Sequence, residues 1–133
     1  MKSATFIVHH KIKPKERPRN GWHTPKATKL SEQIIAQEYK SQCRTFFEGF
    51  IEIEIKNYNK TPDSYSKAKR ELISKGLLFP TVGDADNIIK TILDGLNKVA
   101  YPDDRKVACI KFSRKFSHCD YSQITIKDYY ADN

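Results

Sequence analysis

No stretch of this chain approaches the ~18 consecutive apolar residues that a helix needs to cross a bilayer, which excludes a helical membrane span. The opening residues read as a polar strand rather than a signal peptide, so a cytoplasmic protein is expected. Cysteine is sparse. Cys43, Cys109 and Cys119 are odd in number and unpatterned, and Cys119 beside His118 lacks the paired spacing of a zinc site. They read as reduced thiols. His9, His10, His23 and His118 show no triad-like setting and read as structural or exposed. There are no internal repeats and no low-complexity runs. Acids are outnumbered, 16 against 24 lysines and arginines, for a formal charge of +8. That excess points to a polyanionic partner such as nucleic acid, or to a basic protein of unrelated function. At 133 residues the chain reads as one domain, 1–133, with a modest core.

In this basic chain, acids gather in one place. Residues 83–104 read as a helix with acids at both ends. Asp84 is a good N-cap, and Asp86 in the first turn suits the positive end of the helix dipole. Ile88, Ile89, Ile92, Leu93, Leu96, Val99 and Ala100 recur at helical spacing as one apolar face. Asp86, Asn87, Lys90, Asp94 and Asn97 fall within an arc of about 100° on another side. Pro102 stops the helix, and the pair Asp103-Asp104 follows.

Magnesium is a hard ion that takes carboxylate oxygen and keeps several waters. Asp84 and Asp86, two residues apart at a helix start, can reach one ion if the backbone turns there. Asp104 lies past the far end of a helix about 22 Å long, so the fold must bring it back. Lys90 sits one turn after Asp86 and either reaches the same site or forms an ordinary i,i+4 salt bridge with Asp86 or Asp94. The plainer account of the stretch is a capped helix, a solvated polar face and an acidic turn.

The rest of the chain supplies a scaffold. Thr5 to Val8 begins a short strand. It runs into a proline-bearing loop with Lys11, Lys13, Lys15, Arg17 and Arg19, which either follows a phosphate backbone or is simply a solvated loop. Trp22 either joins the core or stacks on a base. Thr24-Pro25 opens a helix predicted from about Lys26 to Phe47, with Leu30, Ile34, Ile35, Tyr39, Cys43 and Phe46 as its buried stripe. Phe50 to Lys56 is the clearest strand, with Ile51, Ile53 and Ile55 facing in and Glu52, Glu54 and Lys56 facing out. Asn57 to Asp63 reads as a loop. A shorter helix, capped by Ser64 or Ser66 and ended by Gly76, carries Lys67, Lys69 and Arg70 as a second place for phosphate contact. Lys106 to Phe116 and Tyr121 to Tyr130 read as closing strands, and Lys111, Arg114 and Lys115 on the first add charge beside the acidic cluster. The order is β-α-β-α-α-β-β: an α+β fold with a mixed sheet of about four strands covered by helices.

One spacing is specific: Asp-x-Asp-Asn-x-x-Lys-x-x-x-Asp-x-Leu, met here as Asp84, Asp86, Asn87, Lys90, Asp94 and Leu96, then Asp103-Asp104 and Val107. It resembles the RusA-type Holliday-junction resolvases. The likeness extends to Lys13-Pro14-Lys15-Glu16-Arg17-Pro18-Arg19, Thr24-Pro25-Lys26, residues 62–70 and Pro80-Thr81-Val82-Gly83. The resemblance implies a Mg²⁺-dependent endodeoxyribonuclease, with Mn²⁺ as a substitute. Its expected task is to resolve four-way junctions by paired symmetric nicks in recombination and repair, as a homodimer. It implies Asp84, Asp86 and Asp104 as metal ligands, Lys90 as a catalytic group, and Asn87, Asp94 and Asp103 in support. Lys13, Lys15, Arg17, Arg19, Lys67, Lys69 and Arg70 are the expected DNA contacts. The rival readings are a flap or single-strand nuclease using the same acids, and a non-catalytic DNA-binding module.

Overall fold

Isoleucines alternating with charged residues set the centre of the fold. The computed structural model describes residues 1–16 and 26–131. Its elements are β1 (Ser3–Val8), α1 (Lys26–Gln42), β2 (Ile51–Lys60), α2 (Lys67–Ser74), α3 (Ala85–Leu96), a 3₁₀ turn (Asp104–Lys106), β3 (Val107–Ser117) and β4 (Tyr121–Asp128). The four strands form one mixed sheet in the order β1-β4-β2-β3. β4 is antiparallel to both β1 and β2, whereas β3 lies parallel to β2 along an edge. That parallel pair requires a long crossover, and α2 and α3 lie within it. The α+β class and the element order agree with the sequence reading.

Ile51, Ile53 and Ile55 are fully buried on one face of β2, beside Ile124 and Ile126 of β4 and Phe6 and Val8 of β1. Ile35 and Tyr39 of α1 and Ile88, Ile92 and Leu96 of α3 complete the same cluster. Fully burying one such side chain contributes about 1.5–3 kcal/mol, so this layer anchors both helices. Gly95 lets them come close: a Cβ there would stand 3.0 Å from the Glu32 carbonyl oxygen and 3.0 Å from Ile35 Cβ.

Four expectations need correction. The first helix ends at Gln42 rather than near Phe47, because tertiary bonds take over. Tyr39 donates its hydroxyl to the Thr45 carbonyl, and Phe47 N–H donates to Ala100 O at 2.8 Å. Phe46 is therefore outside the helix and exposed, and Leu30 is 57% exposed. The stripe instead begins at Thr28 and Ser31, because Ser31 Oγ accepts from Lys13 N–H at 3.1 Å and so faces the basic loop. The central strand continues to Lys60, where a loop was expected. Pairing with β3 and β4 overrides the poor strand propensity of Asn57 and Asn59, and Asn57 Nδ2 donates to Ser122 Oγ at 2.8 Å. Glu52 does not face water but is buried beneath Lys127 and Lys111, 3.2 and 3.6 Å away. The acidic helix stops at Leu96, so Asn97, Val99 and Ala100 lie in the turn beyond it.

Candidate active site

The site is built on the start of α3 and the reversal after it. Gly83 precedes the helix with φ +82°, and a Cβ at this position would be 2.5 Å from Pro14 Cγ. Both constraints call for glycine. Asp84 occupies the cap position with extended backbone (φ −72°, ψ 138°), but its carboxylate makes no capping hydrogen bond. The amide it would have capped is already taken. Asn87 N–H donates to Asp86 Oδ1 at 3.0 Å and to the Asp84 carbonyl at 3.1 Å. The expected side-chain cap is thus absent, and the Asp84 carboxylate is exposed.

Asp104 returns through a local reversal. Lys98 adopts φ 66° and donates its N–H to Tyr101 O at 2.8 Å. Tyr101 is fully buried and its hydroxyl donates to Leu93 O at 2.8 Å. Burial, helped by the charges of Asp104, Asp94 and Asp103, pushes that phenol far above its usual range. Asp103 then caps the 3₁₀ turn by accepting from Arg105 N–H at 2.9 Å. This backbone bond is the main reason its carboxyl titrates below the usual range. Folded back in this way, Asp104 places Oδ2 3.3 Å from Lys90 Nζ, beside the middle of α3.

Lys90 is therefore held twice, by Asp94 Oδ1 at 3.1 Å, one turn along the helix, and by Asp104. Its pKa is raised, first by the hydrogen bond to Asp94, against some burial, and then by Asp104. Lys15 extends the chain of charges. Its Nζ lies 2.9 Å from Glu32 Oε2 and 3.0 Å from Asp94 Oδ2, and all three side chains are about one-fifth exposed. Burial works against the Lys15 charge, but the two carboxylate hydrogen bonds outweigh it and raise the pKa. Glu32, Lys15, Asp94, Lys90 and Asp104 thus form one alternating series.

The expected DNA contacts divide by environment. Lys13, Lys67 and Lys69 are exposed. Lys69 also lies over the Tyr65 ring, 4.7 Å from its centroid. Arg70 turns back and donates to the carbonyls of Tyr65, Pro62 and Asp63, holding the approach to α2. Lys15 points into the ion series. Arg17, Arg19, Trp22 and His23, with the Thr24-Pro25 helix start, lie outside the described residues.

A divalent ion fits the chemistry of the donors. Asp84, Asp86 and Asp104 offer only hard carboxylate oxygen, and Asp84 and Asp86 are exposed. Among the described residues no three possible ligand side chains already converge on one point. Asp104 is brought back to α3, but onto Lys90.

The spacing of these residues has a counterpart in known proteins. A family model described as Endodeoxyribonuclease RusA matches residues 9–127, nearly the whole chain. The chain belongs to the RusA endodeoxyribonuclease family. It is also 31% identical over 125 residues to a Bacillus subtilis (strain 168) protein described as uncharacterized protein YqaN, covering 87% of each chain. The RusA match takes in β2, all three helices and every acid of the site.

One residue of this RusA-family site escaped the sequence reading. Glu32's only signal is its place three residues before buried Ile35, on the flank of the α1 stripe. Arg114 of β3 read as charge beside the acidic cluster, but what it holds is backbone. Its guanidinium donates to the carbonyls of Val82 and Gly83 at 2.8 and 3.1 Å, next to Asp84. Burial lowers its pKa and the Asp84 charge partly restores it. Nothing in the spacing of a strand arginine signals such a contact.

Proposed function

We propose that this chain is a divalent-metal-dependent endodeoxyribonuclease that resolves four-way DNA junctions by paired symmetric nicks, as a homodimer, in recombination and repair. The observation that carries the reading is the return of Asp104 to α3, next to Lys90 and on the helix that begins with Asp84 and Asp86. Family membership supports the nuclease class. Asp84, Asp86 and Asp104 are the residues to hold Mg²⁺, or Mn²⁺ in its place. The bound ion would supply an activated water and neutralise charge on the scissile phosphate.

The chain's own groups do the remaining work. Lys90 carries its ammonium between Asp104 and Asp94, where it can balance negative charge building on the phosphate. Asp94 keeps Lys90 on the site side of α3, and Lys15 keeps Asp94 in place. Asn87 supports the helix start through its carbonyl, which accepts from Lys15 N–H at 2.8 Å and from Thr91 Oγ1 at 3.1 Å. Asp103 holds the turn that presents Asp104. Lys13, Lys67 and Lys69, all exposed, would meet phosphates, whose contacts position a duplex without reading its sequence. A two-fold dimer would supply the two sites that paired nicks require.

The test is nicking of a labelled synthetic four-way junction beside linear duplex and flap DNA, with Mg²⁺ and then with EDTA. Junction-only paired nicks that vanish with EDTA are expected, and Asp86→Asn should abolish them while sparing or tightening junction binding. Cutting of all three substrates would indicate a general nuclease. Wild-type nicking by Asp86→Asn would refute the ligand assignment.

A further inference from the structure

The segment leading into the site is almost without hydrogen bonds of its own. Among the described residues, positions 78–83 make two, and both come from the Arg114 guanidinium. Arg114 lies on β3, the parallel edge strand, more than thirty residues further along the chain. Its Nη2 reaches Val82 O at 2.8 Å and its Nη1 reaches Gly83 O at 3.1 Å. Pro14 also closes on Gly83, so tightly that a Cβ would meet Cγ at 2.5 Å. The backbone before Asp84 is therefore held by a proline and a fork. Asp84 makes no capping bond, so its own helix does not orient its carboxylate.

We infer that Arg114 is a positioning residue that fixes the 82–83 backbone and thereby aims the Asp84 carboxylate at the metal. This inference rests on the nuclease reading above. The two carbonyls occupy the fork as acceptors, so the role depends on guanidinium geometry rather than on positive charge. Lysine has one donor centre on a flexible stem and cannot span both carbonyls with the same planar geometry. Outer contacts of this kind, when lost, typically lower metal affinity or activity about 10–100-fold.

Arg114→Ala and Arg114→Lys separate geometry from charge. Mn²⁺ binding is measured by calorimetry on the free protein, and junction affinity is measured in EDTA. Nicking is followed under single-turnover conditions across a Mg²⁺ titration, and thermal melts check folding. The lysine variant keeps an aliphatic stem and a cation near the Phe112 ring, which the Arg114 guanidinium overlies, and provides the comparison if the alanine variant unfolds. Both variants should bind Mn²⁺ about 10–100-fold more weakly, need correspondingly more Mg²⁺ for half-maximal nicking, and hold the junction as wild type does. Full rescue by lysine would overturn the inference, since charge alone would then suffice. Weakened junction binding with intact Mn²⁺ binding would also overturn it, making Arg114 a phosphate contact. A wild-type protein that binds Mn²⁺ and nicks the junction, with both variants indistinguishable from it, sinks this inference alone. A wild-type protein that does neither sinks the nuclease reading and this inference with it.

Discussion

Replacing Lys15 by methionine tests whether this lysine serves the DNA or the fold. Its ammonium lies 2.9 and 3.0 Å from Glu32 and Asp94, and its side chain is only 20% exposed. Removing one partner of a buried ion pair costs about 3–5 kcal/mol, and the remaining exposure reduces that to roughly 2–3. Methionine keeps the stem, so the loss reflects two carboxylates left facing each other. At about 2.1 cal/mol/K per residue, 133 residues shift by roughly 3–4 °C per kcal/mol. The melting temperature should therefore fall by about 7–11 °C. Junction binding is followed by fluorescence anisotropy in EDTA over a salt series. A phosphate contact adds about 0.9 to the slope of log K against log salt, so Lys15→Met should leave the slope unchanged. Exposed Lys13→Met should lower it by about 0.9 and leave the melt alone. A Lys15→Met protein that melts like wild type but loses that slope would refute the reasoning.

Gly95→Ala removes a helix glycine, which alone would stabilise by about 1 kcal/mol, but its Cβ meets the Glu32 carbonyl and Ile35 at 3.0 Å. Overpacking costs about 1–3 kcal/mol, so urea titration should show a net loss of up to about 2. Burial works against the Glu52 charge, but hydrogen bonds from Lys127 and Cys109 and the Lys111 charge outweigh it, leaving its pKa below the ordinary 4.5. A lowered folded-state pKa contributes stability in full above 4.5, and that contribution disappears as pH falls through the folded value. The gap in urea midpoint between wild type and Glu52→Gln should therefore narrow below pH 4.5; widening toward acid would contradict the assignment. Lys90 has the opposite sign. Its pKa is raised above 10.5, so its contribution is full below that value and is lost as the pH climbs past the folded one.

Patterns that depend on one element alone were legible in the sequence. The period-two isoleucines of β2 and, as far as Leu96, the period-3.6 apolar face of α3 each report the surface they bury. Features that depend on what lies across the fold were not. Leu30 looked buried, yet the start of α1 packs against backbone of the basic loop, where the Ser31 hydroxyl serves better. Glu52 alternated as a surface residue, but lysines from two neighbouring strands close over it. Lys15 resembles Lys13 in sequence; only the approach of α1 and α3 makes it a bridge between two acids. The acid motif was readable because its spacing is local. The contact that holds the backbone before it comes from β3 and leaves no local trace.

The reversal after α3 has a further consequence. Lys98 to Tyr101, Tyr101 to Leu93 and Lys90 to Asp104 are all short-range ties, the longest spanning 14 residues. The acids and the lysine among them therefore travel as one contiguous cassette of chain, 84–104. Its internal ties have low contact order, while Lys15 before α1 and Arg114 of β3 brace it from outside. Insertions in the approach to α2, which makes none of these ties, would reshape the surface offered to DNA while leaving them intact.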